Sequence, residues 1–496
     1  MSHVLGGTQH SGHTGHLPAI GCFIVTFVVL GHLGQFIVRI FFYVGDSSIH
    51  KDIFGYFHID NYIQMGISKQ PPKQFPITKG LPCQLKWTHS TVYLTDGVSA
   101  SCHRVQGDPM EIRNGELNFH NLPAKLEARR KMLRGEWPGR GCEHCKHIEE
   151  AGGRSDRINH LKMEGTTAPP ELDTDITAVD VTPRQLEVYW GNTCQQSCIY
   201  CGAHYSSSIQ QEEKRFGDFD VEGVRIADEF KMNPKIKEHT DLLFKWFEKN
   251  LHNLHKIFVM GGEPFLQKET FRFIEFLEKG NYPDLTLVFF SNHNVEHERF
   301  KKWMDRLEVL QSTGRLDKIQ IFFSCDAFGP EGEYVRTGLD LKVAVKNFEH
   351  ILHNTKIEQG INSALTVTAA PGMPDMVRYI NDCNKIKPIY WSMMKANQHE
   401  LFPRPYMYPG IFGSKINDWG LREAVELFDT NSHGFPDSVK TNYKTYMQGI
   451  MKEFDQREPM LLRQKQFKIY LNELDRRRGT DWTKVYPQMW ELVKDL

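Results

Sequence analysis

Six short apolar segments lie between residues 186 and 394: LEVYWG (186–191), KIFVMGGE (256–263), TLVFFSN (286–292), KIQIFFSCDA (318–327), SALTVTAA (363–370) and PIYWSMM (388–394). Each is an apolar run bounded by turn-forming residues, the pattern of a strand buried on both faces. Amphipathic helical patterns such as TDLLFKWFEKNL and TFRFIEFLEKG separate several of them. Repeated strand–helix units build a parallel sheet with helical crossovers, open or curled into a barrel. The first crossover, 202–255, is long and polar, which predicts an insertion or a flap.

Chemistry gathers at the carboxyl ends of these strands. The first is followed by CQQSCIYC, which places Cys194, Cys198 and Cys201 on one loop. The i, i+4, i+7 spacing also suits one face of a helix, and cysteine is a common core residue. A zinc site would need a fourth protein ligand. An iron–sulfur cube held by three thiolates would keep one iron free for a substrate or cofactor, so three cysteines are more useful there than four. The second strand ends in GGEP, with Gly261, Gly262 and Glu263. Glycines there let backbone approach a ligand, and the carboxylate can accept from an ammonium group. An ordinary strand-to-helix turn would use the same glycines.

The chain holds ten cysteines in all. Cys83, Cys102, Cys142 and Cys145 form a second group, a CxxC pair with two distant partners, and spacing alone favours zinc there over a second iron–sulfur cluster. Scattered small-domain disulfides do not produce this clustering. Around the group, TVYLTDGVSASC predicts a hairpin and LPAKLEARRKMLRGEW a helix. A polar, proline-containing linker, GTTAPPELDTD (165–175), follows.

CxxxCxxC with Tyr200 before the last cysteine, followed in order by GGEP, resembles the radical S-adenosylmethionine (SAM) superfamily. The resemblance implies a [4Fe–4S] cluster on Cys194, Cys198 and Cys201 whose open iron is chelated by SAM. It implies reductive cleavage of SAM to a 5′-deoxyadenosyl radical that abstracts hydrogen from a substrate. Gly261, Gly262 and Glu263 would seat the SAM amino group. SCDAFGPEGEYVR is similar to the family's SxDxxxxxxxxxxR segment, so Ser324, Asp326 and Arg336 become SAM or substrate contacts; a solvated loop is the alternative. Asn292, after the third strand, is either such a contact or a turn residue. Cys325 alternates away from Ser324 and Asp326 and is expected to pack outward.

Over about 80–495 the chain looks like twitch/SPASM-type radical SAM proteins, in which the second cysteine group holds an auxiliary [4Fe–4S] cluster. One departure is Cys102-His103, where that family often has adjacent cysteines. The fold expected is α/β: a partial (β/α)6 TIM-type barrel core over 180–400, a small auxiliary-cluster domain over 76–165 and a helical extension over 401–496. Known relatives imply a peptide or protein substrate, with flavodoxin or ferredoxin as reductant.

Residues 1–75 lie outside the resemblance. Their apolar stretch, 17–44, reads either as a membrane anchor or as a hairpin, CFIVTFVVL and QFIVRIFFYV flanking GHLG. No Lys or Arg precedes it, so it lacks the charged start of a signal peptide, and a cytoplasmic protein is expected. Sixty basic against 61 acidic residues give a net charge of −1, which advertises no nucleic-acid partner. Residues 461–478 carry six Lys/Arg against two acids, a stripe that a nucleic-acid modifier would use and that a solvated face explains equally. A non-enzymatic zinc module is the remaining alternative; it leaves GGEP without a role.

Overall fold

The computed structural model describes residues 83–150, 152, 155–158, 180–227, 229–396, 404–430 and 437–496, with the backbone of three strands between 24 and 49. The expected linker at 165–175 lies outside the described residues.

Near the start, β1 (Ile24–Val29) and β2 (Phe36–Val44) pair antiparallel, Ile24 opposite Phe41 and Val29 opposite Phe36, and β3 (Ser47–Ile49) follows β2. Within 17–44 the described residues are 24–29 and 36–44, and their antiparallel pairing fits the hairpin reading, as their β-branched and aromatic content favours. No helix among the described residues is long and apolar enough to cross a membrane.

The rest is mixed α/β around one nine-stranded sheet. Its first strands come from the cysteine-rich region: β4 (His89–Tyr93), β5 (Val98–Ala100) and β6 (Asp108–Pro109). A small separate hairpin follows, β7 (Glu111–Arg113) with β8 (Glu116–Asn118). Helices α1 (Pro123–Leu133) and α2 (Glu143–Glu150) complete this region. The expected hairpin and helix are both present, the hairpin as Thr91 opposite Ala100. Proline at the first helical position suits α1, because its missing N–H would lack a partner there anyway.

Then comes β9 (Gln185–Tyr189), and the two-residue β10 (Ser197–Cys198) lies in the cysteine loop. The long first crossover contains α3 (Ser207–Phe216), a hairpin of β11 (Phe219–Val221) and β12 (Val224–Ile226), and α4 (Ile236–Asn250). Four strand–helix units follow: β13 (Lys256–Met260) and α5 (Lys268–Leu277), β14 (Tyr282–Ser291) and α6 (His297–Ser312), β15 (Leu316–Ser324) and α7 (Leu341–Asn354), and, after the two-residue β16 (Arg336–Thr337), β17 (Glu358–Leu365) and α8 (Met373–Ile386). The last strand is β18 (Tyr390–Lys395).

The sheet order is β18-β17-β15-β14-β13-β9-β4-β5-β6, so the six core strands run in sequence order. Their pairings are parallel, and β4 adds to the β9 edge in parallel as well. All six apolar segments therefore supply strands. The fifth strand begins five residues earlier than 363, because Thr366 to Gly372 turn out of the sheet into the start of α8.

The core strands are not buried equally on both faces. Leu186, Val188, Ile257, Val259, Leu287, Phe289, Ile319 and Ile321 are almost fully buried beneath Phe244 and Phe247 of α4, Phe273 of α5 and Phe300 and Met304 of α6. The alternate residues, such as Tyr189, Phe258, Phe322 and Tyr390, are only half-buried. Trp190 shows what the covered face is worth. Its ring stacks on Phe244 at 5.5 Å and meets Phe247 at 6.4 Å. Truncating an aromatic so packed costs roughly 3–5 kcal/mol.

Toward the carboxyl end lie the helices α9 (Arg422–Thr430), α10 (Asp437–Asp455) and α11 (Leu461–Arg478). All six basic residues of α11 have partners. Arg476 and Arg477 pair with Glu473, Arg478 with Glu212 and Lys465 with Glu222; Lys468 donates to the Lys494 and Leu496 carbonyls and Arg463 to Gln466. The basic stripe is thus engaged within the fold, and with the Arg477 and Arg478 side chains nearly buried it is not the solvated face that the sequence suggests.

Candidate active site

Backbone conformation makes the site before any side chain does. The loop after β9 must pass closely over the turn after β13. The Glu263 N–H donates to the Thr193 carbonyl at 2.8 Å, and a Cβ on Gly262 would stand 2.3 Å from that same oxygen. Gly261 and Gly262 have φ of +83° and +53°, the region glycine adopts without strain. GGEP is therefore the seat of the cysteine loop, which an ordinary turn would not require.

Glu263 locks this junction. It has no exposed surface. One carboxylate oxygen accepts from the Phe265 N–H (3.1 Å) and the Ser291 hydroxyl (2.8 Å), the other from the Asn292 N–H (2.6 Å). Burial raises its pKa to about 7, against the lowering influence of those donors. The carboxylate thus ties the end of β13 to the end of β14. The expectation of an ammonium acceptor left this bracing role out.

The three cysteines are held differently. Cys198 is buried in β10, which pairs with β16 so that Cys198 faces Arg336. Cys194 and Cys201 are half-buried. An Arg336 N–H points at the Cys198 sulfur and an Asn292 side-chain N–H at the Cys194 sulfur, both at 3.8 Å. Burial pushes all three thiols up, Cys198 to about 12. Burial pushes Cys325 and Cys383, outside the group, up to about 12 as well, so the rise marks burial and the case for a metal rests on the donor set. A sulfur-only donor set with N–H groups aimed at it fits an iron–sulfur cluster. Among the described residues no three Cys, His, Asp or Glu side chains converge closely enough to hold a single ion.

Asp326, at the end of β15, is fully buried and ion-paired to Arg336 at 2.9 Å. It also accepts from Arg336 Nη2 (3.0 Å), the Tyr200 hydroxyl (2.6 Å) and the Ala364 N–H (2.7 Å). Tyr200, Asp326 and Arg336 thus form one buried knot joining the cysteine loop to the ends of β15 and β17. The guanidinium engages Asp326 and the Cys198 sulfur. Ser324 is half-buried at the β15 end, and Cys325 packs in the covered core as expected.

Several supporting residues escaped the sequence reading. Ser207 and Ser208 hydroxyls donate to the Cys194 carbonyl at 3.1 and 2.8 Å, and the Ser206 hydroxyl donates to the Gln196 carbonyl at 2.6 Å while capping α3. A Ser-Ser-Ser run just ahead of a helix was the available signal. Gln195 donates to the Asn294 carbonyl at 2.6 Å. The Tyr470 hydroxyl, from α11, donates to the Ile199 carbonyl; no local pattern announces so distant a contact.

The second cysteine group also assembles. Cys83, Cys102, Cys142 and Cys145 line one pocket with Lys86, Trp137, Met132 and Arg157. Burial, then the neighbouring Cys102, raises Cys83 to about 12, with Cys145 and Cys142 adding to the effect. Four thiols around one pocket with Lys86 beside them supply the donor number of an anionic metal–thiolate centre, but they do not converge tightly enough around one point for a single zinc ion.

No family model and no curated protein matches the chain. Solved structures overlap with it weakly, two of them as follows. One, a histidine-tagged anSMEcpe with bound AdoMet, is 17% identical with a TM-score of 0.32 over 50% of this chain and 60% of that one. The other, TYW1 with a lysine-pyruvate adduct bound, is 14% identical with a TM-score of 0.28 over 50% and 74%. Overlap of that size identifies no shared activity, and the site has to be read from its own residues.

Proposed function

We propose that this protein is a radical SAM enzyme with two iron–sulfur centres. The observation that carries the reading is the junction of the two motifs: the three-cysteine loop lies against Gly261 and Gly262 so tightly that a Cβ at Gly262 would stand 2.3 Å from the Thr193 carbonyl oxygen. Cys194, Cys198 and Cys201 would hold the catalytic [4Fe–4S] cluster, with SAM seated by the 261–263 backbone and by Asn292. Such a centre, when bound, supplies the electron that cleaves SAM reductively to a 5′-deoxyadenosyl radical. The chain's own contribution is to position and enclose. Glu263 fixes the turn, the Tyr200–Asp326–Arg336 knot fixes the loop, and N–H groups from Arg336 and Asn292 offset thiolate charge. Cys83, Cys102, Cys142 and Cys145 would hold an auxiliary [4Fe–4S] cluster. Six parallel strands in sequence order support a partial (β/α)6 barrel as the core. The substrate is proposed to be a peptide or protein side chain, with a flavodoxin or ferredoxin as reductant and the cytoplasm as the location. The full engagement of the α11 basic residues weighs against a nucleic-acid substrate.

Anaerobically reconstituted protein should bind about eight irons, as two cubes require. Replacing Cys194, Cys198 and Cys201 with Ala should leave about four, and replacing Cys142 and Cys145 should also leave about four. With strong reductant the intact protein should form 5′-deoxyadenosine from SAM. Full iron content in the triple variant, or no 5′-deoxyadenosine with the cluster present, overturns the reading.

A further inference from the structure

One rung of the half-buried sheet face is an aromatic belt. Tyr93 pairs across strands with Tyr189, and Tyr189 with Met260. On the other side Phe290 pairs with Phe322, Phe322 with Gly360, and Gly360 with Tyr390. The alignment of Val259 with Phe289 places Met260 beside Phe290, so the two halves form one row. The rings are organised: Tyr93 and Tyr189 stack at 4.6 Å, Phe290 and Phe322 at 5.2 Å with 16° between planes, and Phe322 lies 6.4 Å from Tyr390. Gly360 makes this continuous. A Cβ there would stand 2.6 Å from the Phe322 ring, which instead lies across the glycine. A sheet that merely needed an inner core would bury these rings; Tyr189, Phe290, Phe322 and Tyr390 all stay half-buried.

The belt lies directly beneath the candidate active site. Asn292 is two residues beyond Phe290 and Ser324 two beyond Phe322, roughly 7 Å along the strands. Two residues the other way, the next rung carries Glu187 and Glu358. The Lys318 ammonium is 3.0 Å from Glu358, and Arg336 above is paired to Asp326. A phosphate group on the belt would meet these carboxylates below, and the two cations just named are already paired. An uncharged ring would find stacking partners at the right level.

Resting on the radical SAM reading above, we infer that the belt is the substrate platform and that the group it takes is an aromatic amino-acid side chain. Rings stack on it edge- or face-on. A nucleobase is the competing occupant, since it stacks equally well but brings phosphate.

The test uses the anaerobically reconstituted protein saturated with SAM, and measures binding by equilibrium dialysis so that no turnover is needed. N-acetyl amides of Phe, Tyr and Trp should bind about fivefold more tightly than N-acetylleucine amide, the size expected from an aromatic pair. Phe322→Leu should bring that ratio close to one; Tyr390→Leu, on the edge strand, does the same if the first variant folds poorly. Equal binding of the leucine amide, no binding of any amide, or tighter binding of adenosine monophosphate than of the aromatic amides overturns the proposal. Because dialysis does not require SAM cleavage, loss of 5′-deoxyadenosine formation would sink the radical reading without being mistaken for a failure of the belt.

Discussion

Arg336→Met tests whether the buried knot behind the cysteine loop holds the site together. Asp326 has no exposed surface and the Arg336 side chain is 10% exposed, so neither charge is solvated in its partner's absence. Removing the guanidinium leaves a buried carboxylate with only the Tyr200 hydroxyl and the Ala364 N–H as donors. Breaking one side of a buried pair typically costs about 3–5 kcal/mol, and methionine refills most of the volume, so the loss should fall near 3 kcal/mol. Anaerobic urea unfolding of the metal-free protein, followed by tryptophan fluorescence, reads this as a lower midpoint at unchanged slope. Asp326→Asn in the same background should restore part of the loss, because an amide no longer carries the stranded charge. The coupling energy from the cycle should be about 2 kcal/mol. A single-variant loss below about 1 kcal/mol, or strictly additive effects, would show that the pair is held open to solvent and that the knot does not brace the loop.

Glu263 gives a pH-dependent outcome. Its pKa is raised by burial to about 7, so the stability it contributes is fully present below the ordinary glutamate range and is lost as pH rises through about 7. That amounts to about 3 kcal/mol in all, of which about 2 kcal/mol falls between pH 5.5 and pH 8, and Glu263→Gln should remove this component from the difference between urea midpoints at those two pH values; an unchanged difference refutes it. Gly262→Ala should cost more than the roughly 1–2 kcal/mol that its left-handed backbone alone imposes on alanine, because the new methyl meets the Thr193 carbonyl, and it should lower cluster retention on desalting while leaving the far-ultraviolet spectrum intact. Tyr470→Phe removes the hydroxyl donated to the Ile199 carbonyl and should cost about 1 kcal/mol with iron content preserved; loss of the cluster would show that α11 does more than hold the loop.

How much of this was legible in the chain depended on the range over which each feature is encoded. The six strands were readable because hydrophobic runs closed by turns are local, and the short spacings of the cysteine loop and GGEP are local too, the fold then bringing the two against each other. The fifth strand slipped because Thr366, Val367 and Thr368 look like strand residues, yet their backbone turns, with the Thr366 hydroxyl accepting from the Ala369 N–H at 3.2 Å. What could not be read was which partner a polar residue would choose. Arg336 and Asp326 are ten residues apart and nothing local says whether either faces a ligand; only the fold brings Tyr200 and the Ala364 N–H to the same carboxylate. The same holds for Glu263, whose three donors come from two different strand ends. It holds too for the belt, since no sequence window contains Tyr93, Tyr189, Phe290 and Tyr390 together, and only strand register places them in one row. Donor sets at short spacing, such as the three cysteines and GGEP, are thus written locally, whereas the residues that hold them still, and the row of rings proposed as a substrate platform, are written in the topology.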